Sequence, residues 1–268
     1  MDLPQLNFRR RISTLVWSRR FLWLLAAMTV VVLHRRLGTL FAVLVIMMVL
    51  SGALKAWENS VRRQFVREAS LPDFLIGKLR ATYPQLAQRD AELVLRGLRQ
   101  FFMAHLRSQR KFVAMPSKVV DAAWHEFILH TQGYQRWCEA AFGGLLHHSP
   151  AEVLGRDARR NDGLRRSWYW ACKEESIDPR KPSRLPLLFA LDVKFGVPGG
   201  FSYVPDCRDI DRQGGSDTHC GSSFSDSGSG SGDAGSFGGS DTSSSDGSSG
   251  DGSSSDGGCG GGCGGGGD

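Results

Sequence analysis

The chain has 268 residues and six cysteines, with 33 Lys and Arg against 27 Asp and Glu. No basic residue lies beyond Arg212, so residues 1–212 hold 33 basic and 19 acidic groups, a net of +14. The last 55 residues, 214–268, are 21 Gly, 17 Ser and 8 Asp; so little apolar surface cannot offset ordering entropy, which excludes a packed core there.

Two apolar runs come first. Residues 21–33 carry no charge over 13 positions and residues 37–54 none over 18, with His34, Arg35 and Arg36 between them. At ~1.5 Å per residue the second run is ~27 Å long, enough for a hydrocarbon core of ~30 Å. The first is ~20 Å and needs Trp17, Arg19 and Arg20 to snorkel. Residues 1–56 therefore read as a membrane anchor, since a secretory leader would end earlier. A transmembrane hairpin puts Arg9, Arg10, Arg11, Arg19, Arg20, Lys55, Arg62, Arg63 and Arg67 on the cytoplasmic side, as the distribution of positive charge prefers. A single span through 37–54 has basic residues on both flanks, which leaves its direction open. Cysteines without disulfide-domain spacing fit a reducing, cytoplasmic body at the inner or plasma membrane.

Residues 57–70 read as a linker and 71–205 as one compact all-α domain of five to six helices. Ser70 to Asp73 predicts a helix start with Ser70 as cap and Pro72 in the first turn, and the helix should stop before Pro84. Val94, Leu98, Phe101, Phe102 and Leu106 repeat with a helical period over residues 90–108. Ser117 caps a third helix, Thr131 a fourth, and residues 161–175 and 187–195 suggest two more. Gly199-Gly200 closes the domain, and residues 206–268 read as a disordered Gly/Ser/Asp tail.

The chemistry crowds into residues 119–150, which hold four of the seven histidines. Val120, Trp124 and Ile128 form an apolar stripe at i, i+4, i+8. Asp121 and His125 share an adjoining face, where the carboxylate can fix the imidazole tautomer and leave one nitrogen to bind. Tyr134 and Cys138 share a face of the next helix. His147 and His148 follow Gly143-Gly144 on a returning loop. Convergence of Asp121, His125, Cys138 and one of His147 or His148 would make a metal site, with zinc suited to those donors. The same pieces allow a Cys–His thiol enzyme. They also allow a buried hydrogen-bonding lock in which Cys138 packs as a small hydrophobe, with His130 supporting the interhelical turn.

At these residues the chain resembles glycine-rich domain-containing proteins. Trp124-His125, Leu129, Tyr134, Cys138-Glu139 and Gly143 look like that family's WHxH…L…Y…CE…G signature, and Cys259 and Cys263 in the tail resemble the tails of its bacterial members. The likeness covers about residues 70–205, and the second His of WHxH is Phe127 here. It implies a helical domain and no particular enzymatic activity.

Other features carry less. Cys207, His219, Cys220, Cys259 and Cys263 could capture soft metals or simply oxidise. The basic run at 156–166 lacks interleaved readout residues and reads as a solvated or lipid-facing helix face rather than a nucleic-acid site. No phosphate-binding glycine loop follows a strand, and no nucleophile elbow is present. The sequence thus points to a membrane-anchored, cytoplasmic-facing helical module that binds a protein partner, with a zinc site or a thiol enzyme in the 121–148 segment as the alternative.

Overall fold

The computed structural model describes residues 3–33, 37–148, 158–206 and 218–224. Two long helices lead, α1 (Leu3–Leu33) and α2 (Leu37–Glu68). They run antiparallel, since Phe8 meets Phe65 with ring centroids 6.1 Å apart while Arg19 meets Glu58 further along. One end of the pair belongs to the body: Phe8, Ile12, Val61, Phe65 and Val66 are buried in its core. Along the other end Phe21, Trp23, Leu24, Met28, Phe41, Met48 and Val49 stay exposed. Phe41–Glu68 is long and apolar enough to cross a membrane, and only 11% of its most apolar window is buried. A soluble core helix of that composition would be buried instead.

The expected linker at 57–70 is absent as such. Residues 57–68 continue α2 without a break, because Val61, Phe65 and Val66 repeat at helical spacing and have a core to enter.

Six further helices are described: α3 (Phe74–Thr82), α4 (Gln88–Arg107), α5 (Lys118–Leu129), α6 (Thr131–Phe142), α7 (Ala158–Glu174) and α8 (Leu187–Lys194). The α4 helix is the centre, with 12 of its 20 residues buried, and α2, α3, α5, α7 and α8 pack around it. Trp137 of α6 ties this together. Its ring lies 5.7 Å from Phe65, 4.6 Å from Phe102, 5.9 Å from Phe127 and 5.7 Å from Phe142, so α2, α4, α5 and α6 share one aromatic cluster.

Helix starts follow local chemistry only in part. The Ser117 hydroxyl does cap α5, accepting from Val120 N. Ser70 does not cap α3, which begins after Asp73, and Thr131 is the first residue of α6 rather than its cap. The stronger device at α5 comes from far away. Buried Asp192 on α8 accepts from Ser117 Oγ (2.7 Å), Lys118 N (2.7 Å), Val119 N (3.1 Å) and Phe201 N (2.9 Å). A carboxylate there meets both the orphan amides and the positive end of the helix dipole.

The body also runs past the expected boundary at 205 and is not purely helical. A parallel two-stranded ribbon pairs β1 (Ser202–Val204) with β2 (Thr218–Cys220), Tyr203 opposite His219. Phe224 then packs on Trp168 and Phe189 at 6.0 and 6.2 Å. A Cβ on Gly221 would lie 2.1 Å from Trp168, so only glycine lets the chain pass there. Residues 218–224 therefore belong to the body, not the tail. Residues 207–217 and 225–268 of the expected tail lie outside the described residues.

Candidate metal centre

The site is built on the corner between α5 and α6. A single residue, His130, separates the two helices. Its ring stands edge-on to Phe74 at 5.2 Å and covers Gly133, where a Cβ would meet it at 2.2 Å. His130 thus packs within the turn and stands apart from the cluster.

Gly143 ends α6 in the left-handed conformation, φ 79°, which glycine adopts without penalty. The chain then returns along α5. Tyr134 holds this return by donating its hydroxyl to Leu146 O while accepting from Trp124 Nε1 at 3.0 Å. Burial, then the neighbouring Cys138, pushes the Tyr134 phenol above its usual range, so it works as a neutral hydroxyl. Trp124, Phe127 and Val120 are buried on the core side of α5, and Ile128 is partly buried against the same core.

The return brings His148 over Asp121. Its Nε2 lies 3.0 Å from Asp121 Oδ1, and its ring packs on Trp124 at 4.6 Å and on His125 at 4.2 Å. His125 Nδ1 lies 2.8 Å from the Asp121 carbonyl and 3.3 Å from Asp121 Oδ2. One donor atom from each of Asp121, His125 and His148 lies within 4.8 Å of the others. Two ligands of a tetrahedral zinc about 2.1 Å from the ion stand about 3.4 Å apart, so donors up to 4.8 Å apart have to move inward to hold one. The face is accessible, with side-chain exposures of 31% for Asp121, 51% for His125 and 13% for His148. Solvent could fill a fourth position.

Cys138 does not join them. It is a fully buried free thiol, and burial pushes it up to about 11. A group with no thiolate at neutral pH is neither a ready nucleophile nor a zinc ligand without losing that burial. His147 is exposed and lies outside the cluster. Of the four histidines in this stretch the structure therefore gathers two, around the one carboxylate that the helical spacing singled out.

Elsewhere, Cys220 is disulfide-bonded and so is not a free soft-metal ligand. Cys207, Cys259 and Cys263 lie outside the described residues. In the basic run, Arg166 donates to Phe112 O at 2.8 Å and, with Arg165, approaches Asp162. Sequence reasoning missed Asp192, whose partners are spread over residues 117–201, and the buried Glu58–Arg62 pair. Arg62 binds Glu58 at 2.8 Å and donates to the Glu139 and Ala140 carbonyls at 3.0 and 2.7 Å, which fixes α2 to the end of α6. Only the i, i+4 spacing of Glu58 and Arg62 signalled it.

No curated protein and no solved structure matches the chain. Residues 61–224, more than half of the sequence, match the UCP032817-like family. That span starts at the buried end of α2, takes in the whole Asp121–His125–His148 corner and ends at Phe224, the last described residue. The chain belongs to the UCP032817-like family.

Proposed function

We propose that this protein is a membrane-anchored helical binding module whose α5–α6 corner takes up a divalent metal ion, zinc by its donor set. The observation that carries the reading is the convergence of Asp121, His125 and His148 within 4.8 Å on an accessible face. Two imidazoles and a carboxylate suit a borderline metal, and three protein ligands leave room for water or a partner's side chain. The kinship to glycine-rich domain-containing proteins at Trp124-His125, Tyr134, Cys138-Glu139 and Gly143 is part of the same proposal. α1 and α2 form the anchor as a hairpin, with the body in the cytoplasm.

A second reading has its own observation. Asp121 meets both rings directly, so the cluster can serve as a hydrogen-bonded lock of the return segment on α5. Thermal unfolding of the detergent-solubilised full chain with zinc and with chelator separates the two. Zinc at about 100 times its Kd should stabilise the wild type by about 2.7 kcal/mol, and His125→Ala should lose that gain. Equal losses for His125→Ala with zinc and with chelator would reject the metal and leave the lock.

Placement of the body has a rival as well. Cys220 is disulfide-bonded, and disulfides persist in oxidising compartments, which favours the opposite face. An impermeant thiol reagent acting on intact cells would label a single cysteine placed at residue 60 only if the body is outside.

A further inference from the structure

Where α1 and α2 leave the body, a cavity of about 560 Å³ opens beside them. Its wall changes character along its length. Trp23 and Met48 line the side toward the apolar runs, while Arg19, Lys55, Glu58 and Arg110 line the side toward the body. Trp23 and Met48 are 53% and 73% exposed, so the apolar wall opens outward rather than into the core.

The charges in this cavity do not balance. Glu58 is its one carboxylate, and it is occupied by Arg62 at 2.8 Å and Arg19 at 3.1 Å. Arg62 is further spent on the α6 carbonyls. Neither Lys55 nor Arg110 makes an ion pair among the described residues, although Glu58 acts on Arg110 electrostatically. Partial burial, then the neighbouring Arg62, holds the Arg110 guanidinium below its usual range even though much of its surface stays accessible. Unpaired cations gathered around a carboxylate already in use leave room for an anion.

The backbone is also arranged to deliver Arg110. Gln109 and Arg110 both adopt left-handed conformations, φ 53° and 62°, which residues bearing a Cβ rarely do. Hydrogen bonds from Gln109 N to Leu106 O and Arg110 N to His105 O fasten this turn to the end of α4. Strain of this kind persists where the surroundings fix it and often marks a site.

Position names the anion. Arg19 lies just before the charge-free run at 21–33, and Lys55 directly follows the run at 37–54. With α1 and α2 in a bilayer, these cations lie at the depth of lipid phosphates, and Met48, seven residues before Lys55, lies ~10 Å deeper. We propose that this cavity holds the phosphate of an anionic glycerophospholipid between Lys55 and Arg110, with its acyl chains along Trp23 and Met48. The proposal rests on the membrane reading of the two helices. Inorganic phosphate offers the same oxyanion chemistry, but it would make no use of the apolar wall.

The test uses the full chain in nanodiscs of phosphatidylcholine alone, phosphatidylcholine with phosphatidylglycerol, or phosphatidylcholine with added inorganic phosphate. Native mass spectrometry reads what the released protein retains. Phosphatidylglycerol should be retained about tenfold over phosphatidylcholine, and Arg110→Asn and Lys55→Ala should each reduce that preference severalfold. Asn tolerates a left-handed backbone, and Lys55 is exposed on a helix, so Lys55→Ala decides the matter alone if the first variant misfolds. Equal retention of the two lipids, a preference indifferent to both variants, or retained inorganic phosphate without lipid preference would overturn the site. Carbonate extraction of native membranes reads the anchor separately. Release of the protein fails the membrane reading, whereas retention without headgroup preference fails only the lipid site.

Discussion

The Glu58–Arg62 junction and the Asp121–His125–His148 corner are both clusters of charged and polar side chains, and they solve opposite problems. At the junction both side chains are almost wholly buried, and Arg62 divides its donors between a carboxylate and the carbonyls at the end of α6. Buried charge is tolerated only when satisfied in this way, and cations suit the negative end of a helix dipole. Neither member of that pair is left to bind a ligand. At the corner the three side chains are partly exposed, and their donor atoms aim at one another rather than at the backbone of a neighbouring helix. Water can reach them. Closure marks architecture, and accessible convergence is what the proposed metal reading rests on.

The largest test of that distinction is Arg62→Ala. Removing one partner of a buried pair strands the other, so the variant should lose about 3–5 kcal/mol, a fall in Tm of roughly 10 °C for a domain of this size. The loss should be the same with zinc and with chelator. A loss that appears only in one of the two would mean that the junction and the corner are a single coupled unit.

Acid provides a test of intermediate size on the buried side. His105 packs edge-on against Phe142 at 4.9 Å, and its Nδ1 lies 3.2 Å from Lys111 O. Burial lowers it to about 4. The neutral ring is the one the fold accepts, so its contribution is fully present above the unfolded value near 6.5 and is lost as pH falls from there toward about 4. By about pH 5 this amounts to roughly 2 kcal/mol. His105→Asn should lose less stability than the wild type over the same interval in urea titrations. Parallel curves for the two proteins would show that His105 is not held neutral.

How much of this was legible in the sequence depends on the range of the interaction. Asp121 and His125 could be paired from i, i+4 spacing alone, because a helix fixes what lies one turn away. The apolar stripe through Val120 and Trp124, the core period of α4 and the Ser117 cap were readable for the same reason. For Cys138 the sequence left a ligand, a nucleophile and a buried packing residue open, because facing Tyr134 on one helix does not determine which side that helix turns to the core; its burial selects the last. Which face of a helix is covered is a tertiary fact. Asp192 bonds residues 73–75 positions away, and β1 pairs with a strand 16 residues later; neither leaves a local periodicity. The linker at 57–70 was mistaken because the charges of Glu58, Arg62, Arg63 and Arg67 suggest solvent, whereas two of them neutralise each other inside the body.

The smallest expected effect gives the sharpest view of the corner, since it compares adjacent residues of the same type. His148 touches Asp121, Trp124 and His125, whereas His147 points to solvent and lies outside the cluster. His148→Ala should cost about 1 kcal/mol in chelator through the lost hydrogen bond, and it should weaken zinc binding at least about tenfold through the lost ligand. His147→Ala should stay within about 0.5 kcal/mol of wild type and bind zinc unchanged. Isothermal titration of both variants with zinc, beside their unfolding curves, measures the two quantities independently. Equal weakening by His147→Ala would mean that the return segment shifts by one residue when the ion enters, and Asp121 would then face a different imidazole from the one it meets here.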